Sequence, residues 1–255
     1  MTEEAIATGT PLSGKLFLYK EPELLAPETH ATLGFTPAER PFDFVRNERV
    51  IPLTLTELSS AQRHYPIIFS QLEQPLPLAV VGVIDEQNLF VDEAGNWDEM
   101  CYLPMYLRCY PFAFATGGEN QLAVVVDRAA DSVVEDPQYP FFNDGKVSEH
   151  SQALMQLCMQ YDAERRRTVD FCEKLRDLGL LTPMGANFTP GGEGSEPEPL
   201  AEYVGINTER LKDLSKDEVF ELHGNGFLSG LYMQLYSIEN WRHLMARREQ
   251  RGLNA

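Results

Sequence analysis

Short apolar runs dominate the first half of the chain, and longer stretches with helical spacing dominate the second half. Three of the short runs are rich in β-branched and aromatic residues and predict strands: residues 65–70 (YPIIFS), 78–84 (LAVVGVI) and 122–127 (LAVVVD). Residues 88–92 (NLFVD) follow the second run after the short turn DEQ. We therefore expect residues 78–92 to form a β-hairpin.

One long helix is predicted to begin at Ser148 and to end near Gly179, because apolar residues keep helical spacing over this stretch. Thr54 and Glu57 stand at the spacing of a capping box, which predicts a short helix over residues 54–63. The remaining helices are predicted over residues 104–110, 208–214 (N-cap Asn207), 216–223 (N-cap Ser215) and 227–248.

The order of these elements predicts an α+β fold, since strands concentrate before Asp127 and helices after Ser148. An alternating α/β fold would mix the two kinds of element along the chain. We expect an antiparallel-rich sheet from the N-terminal half, packed with the long helix and with a C-terminal helical segment.

A single domain is predicted over residues 13–255, after a flexible lead-in at residues 1–12. This domain has a strand-rich part at residues 13–140 and a helix-rich part at residues 146–250. Residues 183–199 are rich in proline, glycine and glutamate, which predicts a mobile loop. We expect this loop to separate layers of one domain.

The bulk composition restricts the classes of partner. The chain has 255 residues, 43% of them hydrophobic, and a formal net charge of −18. Nucleic acids and anionic membrane surfaces attract clustered lysine and arginine, so this acidic chain is not predicted to bind either. No run approaches the ~20 apolar residues that a membrane-spanning helix needs.

The cysteines and the N-terminus indicate a soluble, cytoplasmic protein. The four cysteines form no C-x-x-C pair, which argues against a zinc site and favours free thiols in a reducing compartment. The first residues, MTEE, are acidic, and no apolar core of signal-peptide length follows them, so no Sec-type signal is predicted.

Residues 92–99 (DEAGNWDE) place four carboxylates and an amide around one glycine. Calcium prefers oxygen ligands of this kind, but the spacing does not match an EF-hand loop. We therefore expect no metal site here, and a solvated turn in which Gly95 adopts a positive φ. Trp97 then either caps the apolar face of the hairpin or stacks on a ligand.

Arg108 lies in a mostly apolar and aromatic segment, where a guanidinium must be paired or stacked. It is predicted either to clamp an anion or to pair with an acidic residue such as Asp92 or Asp127. His64 precedes the strand at residues 65–70 and is either a base at a strand mouth or a hydrogen-bonded structural histidine.

These side chains form one pocket if the hairpin and the short helix over residues 104–110 lie together. The candidate binding residues are His64, Asp92, Trp97, Arg108 and Tyr110. The sequence contains no nucleophile elbow, no P-loop and no dinucleotide-binding glycine motif, and no two histidines stand at metal-ligand spacing. It therefore assigns no catalytic residue and no cofactor.

Several sequence blocks follow one another in a distinctive order: YPIIF, NLFVD with its GNW turn, YLP with LRCYPF, LAVVVD, FFNDG, a long helix ending in LGLL, GIN, and YSIEN. In these blocks, over residues 40–246, the chain resembles the bacterial SapC family. The resemblance implies a link to the surface-layer locus of a pathogenic bacterium, from which the family takes its name. It also implies genomic neighbourhoods with outer-membrane uptake receptors, flavin-dependent tryptophan-halogenase-like proteins and cupin-like proteins.

The missing catalytic signature and the resemblance together favour an accessory or binding protein of a bacterial cell-surface or nutrient-uptake system. We expect such a protein to have a protein partner or to self-associate. One alternative is an enzyme or enzyme subunit with a pocket around Arg108 and Trp97 that depends on a partner's cofactor. A second alternative is a structural component of a surface layer. The sequence does not indicate a small-molecule ligand.

Overall fold

A computed structural model of the chain describes residues 16–83, 87–116, 122–188, 196 and 198–252. Within these ranges the protein has the predicted α+β class, with antiparallel sheets, one long helix and several C-terminal helices. The chain divides into two compact units, and each unit combines two separate stretches of sequence. Unit 1 comprises Met1–Glu39 and Cys109–Asp162, and unit 2 comprises Arg40–Arg108 and Ala163–Ala255.

The strands of the described ranges are short, apart from the last two. In chain order they are β1 (Pro22–Leu24), β2 (Leu33–Phe35), β3 (Val50–Pro52), β4 (Ile67–Phe69), β5 (Pro77–Val80), β6 (Phe112–Thr116), β7 (Leu122–Asp127), β8 (Val133–Glu135), β9 (Tyr139–Pro140), β10 (Phe142–Asn143), β11 (Lys146–Val147), β12 (Leu181–Phe188) and β13 (Glu198–Ile206).

The helices of the same ranges include one of 29 residues. They are α1 (Pro27–His30), α2 (Leu58–Ala61), α3 (Met105–Cys109), α4 (Glu149–Asp177), α5 (Thr208–Lys212), α6 (Lys216–Gly224), α7 (Phe227–Ser237) and α8 (Asn240–Gln250), with 3-10 turns at Asp43–Val45 and Leu55–Glu57. None of these described helices combines the length and the apolar character that crossing a bilayer requires.

Unit 1 contains three small antiparallel sheets, with the strand orders β1-β7-β6, β8-β2-β9 and β10-β11. The Tyr19 hydroxyl donates to the Phe112 carbonyl on β6 at 2.6 Å. The ring of Phe112 packs edge-on against Phe141, which directly follows β9, with 5.1 Å between the ring centroids. Both phenylalanines are fully buried, so their contact forms part of the core of unit 1.

Asp127 is the polar centre of unit 1, because its buried carboxylate accepts hydrogen bonds from three segments. Its Oδ1 accepts the N–H groups of Glu21 at 2.8 Å and Ala129 at 3.3 Å. Its Oδ2 accepts the N–H of Lys20 at 3.1 Å and the Tyr110 hydroxyl at 2.9 Å. A buried carboxylate is tolerated when donors surround it in this way.

Unit 2 is built on a five-stranded antiparallel sheet with the order β12-β13-β4-β5-β3. Both edge strands contain a proline, Pro183 in β12 and Pro52 in β3. β12 and β13 form a long hairpin whose register shifts between Ala186 and Asn187.

Buried polar contacts tie α7 to β4 and α8 to the segment just before β4. The N–H of Ile67 donates to Ser237 Oγ at 2.9 Å, and the Gln234 side-chain amide donates to the Ile67 carbonyl at 2.9 Å. The Asn240 side-chain amide donates to the Tyr65 carbonyl at 3.0 Å. Because all three polar side chains are buried, these hydrogen bonds fix the helices against the sheet without competition from water.

Glu57 is a buried carboxylate that connects two helical segments of unit 2. Its Oε2 accepts the N–H and the Oγ1 hydroxyl of Thr54, both at 2.8 Å, which completes the predicted capping box. Its Oε1 accepts the Met105 N–H at 2.6 Å and the Tyr102 hydroxyl at 3.1 Å. One side chain therefore holds the start of the segment at Leu55 and the start of α3.

Most predicted elements are present. The long helix is α4, the short helix of residues 104–110 is α3, and the strands at residues 65–70 and 122–127 are β4 and β7. The predicted caps are also confirmed: Asn207 accepts the Arg210 N–H, and Ser215 forms a second capping box.

The hairpin predicted over residues 78–92 is not a regular ladder. β5 stops short of Gly82, residues 88–92 form no strand, and residues 84–86 lie outside the described residues. The chain folds back closely here, since a Cβ atom at Gly82 would collide with the carbonyl of Gln87.

The single helix predicted over residues 227–248 is instead two helices, α7 and α8, separated at residues 238–239. At the end of α7, Ser237 Oγ donates to the Gln234 carbonyl at 2.6 Å. Side-chain bonds of this kind compete with the backbone ladder of a helix and favour its termination.

The loop predicted over residues 183–199 is wrong for residues 183–188, which belong to β12, and β13 already begins at Glu198. Pairing between the two strands overrides the low strand propensity of the proline and glycine in this stretch. Residues 189–195 and 197 lie outside the described residues.

Glu57→Ala removes the carboxylate that joins the two helical segments. We expect the variant to lose about 3 kcal/mol of unfolding free energy or more, because buried N–H and O–H donors lose their acceptor. Urea denaturation followed by circular dichroism measures this loss. Glu218→Ala is the matched control, because Glu218 completes the exposed capping box of α6. An equal loss in both variants would contradict the central role of Glu57.

Candidate functional site

The acidic turn at residues 92–99 is held by Asp92. Its Oδ1 accepts the Asn96 N–H at 2.8 Å, and its Oδ2 accepts the Asn96 side-chain amide at 3.3 Å. The hydrogen bonds, the backbone one from Asn96 first, lower the pKa of Asp92 below its ordinary value. Gly95 has the predicted positive φ, +84°, and a Cβ there would lie 2.6 Å from the Arg40 Cβ. The turn is therefore packed against the fold as well as solvated.

An aromatic cluster packs beside this turn. Phe90 and Trp97 stack with 5.9 Å between ring centroids, and Tyr65 meets Phe90 edge-on at 4.7 Å. The Tyr65 hydroxyl donates to the Tyr102 carbonyl. Trp97 pairs with Val91 through a single β-bridge and is only 6% exposed. Its ring therefore caps the apolar core, which is one of the two predicted roles.

Arg247, on α8, lies over the aromatic cluster. Its Cζ is 4.4 Å from the centroid of the Phe90 ring, which is a cation–π contact. Its Nη2 lies 2.7 Å from Asp98 Oδ2 and 3.1 Å from Cys101 Sγ. The guanidinium is therefore held in one orientation by a ring, a carboxylate and a sulfur atom.

These residues border an open cleft of about 360 Å³ in unit 2. The lining side chains belong to the turn, the aromatic cluster and α8: Phe90, Asp92, Asn96, Trp97, Asp98, Glu99, Arg247 and Arg251. Met100 directly follows this lining and is 85% exposed. The cleft thus has acidic residues from one segment, two arginines from another, and a large exposed apolar side chain beside them.

Burial and the ion pair decide the protonation of the groups near Arg247. Burial opposes ionisation of Asp98, but the hydrogen bonds from Arg247 and the Met100 N–H outweigh it and lower the pKa of Asp98. Burial raises the pKa of the Cys101 thiol to about 11, with Arg247 acting against the shift. At neutral pH the site therefore contains a carboxylate and a neutral thiol.

His64 is half-buried and senses the same charges. Burial lowers the pKa of His64 below its ordinary value, and the positive charges of Arg63 and Arg247 lower it further, while Asp98 acts in the opposite direction. The imidazole is consequently neutral at pH 7.

Two of the five predicted site residues line the cleft in unit 2. Asp92 and Trp97 line the cleft, and His64 lies within the electrostatic influence of Arg247 and Asp98. Arg108 and Tyr110 are not among the lining residues.

The apolar segment around Arg108 predicts that this residue clamps an anion or pairs with an acidic residue such as Asp92 or Asp127. It is instead exposed on α3 and interacts with Tyr102. Burial and Glu57 raise the pKa of Tyr102, and Arg108 opposes that rise. The carboxylate of Asp127 accepts the hydroxyl of Tyr110, which belongs to unit 1.

The two arginines of the cleft were missed as site residues. Arginines near the end of a helix are favoured there by the helix dipole, which explains their presence without a binding role. Arg251 Nη1 donates to the Asn88 carbonyl at 3.3 Å, and Arg247 reaches Phe90. No local signal reports these contacts, because the partners are far apart in the sequence.

Metal binding finds no support in the arrangement of the described residues. Across the ranges that the structure covers, no group of three or more His, Cys, Asp or Glu side chains is arranged to hold a metal ion. The carboxylate of Asp92 faces its own turn and accepts hydrogen bonds there.

Comparison with protein-family models relates this fold to known sequences. A model of the SapC family matches residues 25–244. The chain belongs to the SapC family. The match spans most of both units, including the whole 92–99 turn and Arg242 but not Arg247 or Arg251. No curated protein matches this SapC chain, and no solved structure does.

His64→Gln should change how stability depends on pH. Because the folded-state pKa of His64 is lowered, the unfolded chain binds this proton more readily, and the wild type loses stability as pH falls below about 6.5. Denaturant unfolding at about pH 8 and about pH 5.5 compares the two proteins. The exposed His223→Gln controls for the loss of an imidazole. A constant difference between wild type and His64→Gln at both pH values would contradict the lowered pKa.

Proposed function

We propose that this SapC chain is an accessory or binding protein of a bacterial cell-surface or nutrient-uptake system. We further propose that a protein partner docks on the cleft at residues 92–99. The surface-layer and uptake context comes from the resemblance to the SapC family. The docking site rests on the geometry of the cleft.

The chemistry of the cleft favours binding over nucleophilic catalysis. The Cys101 thiol, with a pKa of about 11, is not ionised at neutral pH, and the thiolate is the reactive form. The Arg247 guanidinium is already engaged with Asp98 and Phe90. These contacts fix the shape and the charge distribution of the surface, which suits recognition of another protein.

The observation that carries the proposal is the position of Met100. A methionine that is 85% exposed places apolar surface in water beside a fixed set of charges of both signs. Methionine adapts its shape to the surface it meets and recurs at protein-binding surfaces. We infer that Met100 enters an apolar pocket of the partner, while Glu99 and Arg251 contact charged groups around that pocket.

Two alternative functions can be distinguished from this proposal by experiment. The neutral His64 near Arg247 and Asp98 favours an enzyme subunit that uses a partner's cofactor, since an uncharged imidazole is able to accept a proton. Such a complex would carry a small-molecule mass that a denatured sample lacks. A surface-layer component would assemble into ordered sheets when concentrated with calcium. A dispersed protein under those conditions would eliminate that alternative.

Met100→Glu tests the docking site. We expect the variant to bind the partner about tenfold more weakly or worse, because a charge replaces an apolar anchor. Native mass spectrometry of the chain captured from its own host cells measures the partner-bound fraction. Met159→Glu is the matched control, since Met159 lies on α4 and is 57% exposed. The control should retain the wild-type fraction.

Two results would contradict the proposal. One is equal partner binding by Met100→Glu and Met159→Glu. The other is a wild-type chain that is recovered alone, without any protein partner or second copy. Both variants change the net charge equally, so a difference between them reports the site rather than the charge of the whole chain.

A further inference from the structure

A second cleft in unit 2 has no role in the proposed docking site. It has a volume of about 450 Å³ and is lined by the β12–β13 hairpin, by α8 and by the two residues before α8. Its lining shares no residue with the 92–99 cleft: Asn187, Phe188, Leu200, Ile238, Glu239, Trp241, Arg242, Met245, Ala246 and Glu249. Clefts of this size accommodate small molecules.

The inner part of the cleft is apolar. Trp241 and Met245 are 9% and 4% exposed, so they form its floor. Phe188, Leu200 and Ile238 are half-buried and form its walls. An apolar group of a ligand would therefore displace water from ring and aliphatic surface, which is favourable.

The rim of the cleft carries charged side chains that form no ion pair within the described residues. Among the described residues, the side chains of Glu239, Arg242 and Glu249 have no ion pair or hydrogen bond with another side chain. By contrast, Arg247 on the same helix is paired with Asp98. The rim therefore offers a guanidinium and two carboxylates to a ligand.

The order of these charges along the helix indicates what they would bind. Glu239 is the N-cap residue of α8, Arg242 follows it by three residues, and both side chains line the cleft. A guanidinium binds a carboxylate through two parallel hydrogen bonds, and a carboxylate accepts hydrogen bonds from an ammonium group. Neighbouring groups of opposite charge match the adjacent carboxylate and ammonium groups of an α-amino acid.

We propose that this cleft binds a free α-amino acid with a large apolar or aromatic side chain. Arg242 binds the carboxylate, Glu239 binds the ammonium group, and the side chain packs on Trp241 and Met245. A fatty acid or a phosphate would also meet Arg242, but it brings no positive group to the two rim carboxylates. The proposal does not depend on the proposed function, since it concerns a different cleft.

Trp241 supplies the readout, because the chain has two tryptophans and only one lines this cleft. In protein labelled with ¹⁵N-tryptophan, L-phenylalanine at millimolar concentration should shift the Trp241 indole resonance and leave that of Trp97 in place. Trp241→Phe assigns the two resonances, and Trp97→Phe does so if the first variant does not fold. No shift, or equal shifts of both resonances, would overturn the proposal.

Analogues and variants test the recognition of both charged groups. Phenylacetate, phenethylamine and N-acetyl-phenylalaninamide each lack one or both charges, and each should bind at least about tenfold more weakly than phenylalanine. Arg242→Gln and Glu239→Gln should show a similar loss, while Arg63→Gln, at an exposed arginine outside the cleft, should bind normally. Equal binding of the uncharged analogue would refute zwitterion recognition.

Discussion

Much of unit 2 depends on the placement of a single carboxylate. Glu57 is 3% exposed and accepts hydrogen bonds from the backbone of Thr54 and Met105 and from the Tyr102 hydroxyl. Burial makes this acceptor essential, since the N–H groups of Thr54 and Met105 would otherwise lie unsatisfied away from water. Tyr102 directly follows Cys101, so the same carboxylate also helps to fix the segment that carries one side of the 92–99 cleft. A buried carboxylate that does not line the cleft therefore helps to position it.

The sequence predicts the parts of the fold that depend on neighbouring residues. The spacing of Thr54 and Glu57 is sufficient to identify a helix start, because both partners of a capping box lie within one turn. The helical spacing of apolar residues along α4 identifies this helix for the same reason. A local pattern does not reveal the second role of Glu57. Its other carboxylate oxygen accepts a hydrogen bond from the start of α3. In the β12–β13 hairpin the local pattern is misleading. Pairing between the strands overrides the loop-like composition of residues 183–188.

The candidate site was predictable in part. Asp92 and Trp97 stand out because a turn with four carboxylates and one tryptophan is unusual in composition. Arg108 misleads because the residues around it are apolar, yet α3 is too short for its periodicity to show which side faces water. In the structure Arg108 is exposed while Leu107 and Cys109 on either side are buried. The arginine that does approach the aromatic cluster, Arg247, comes from the far end of the chain.

The two edges of the five-stranded sheet have a consequence for how this protein meets other chains. An open edge strand presents a row of backbone donors and acceptors, which invites another strand to add to the sheet and begin aggregation. Pro183 and Pro52 each remove one donor, β3 is only three residues long, and β12 has an irregular register near its end. The sheet is thereby protected against growth by strand addition. Association through this sheet would have to use side-chain surfaces, which carry more sequence specificity than a backbone edge.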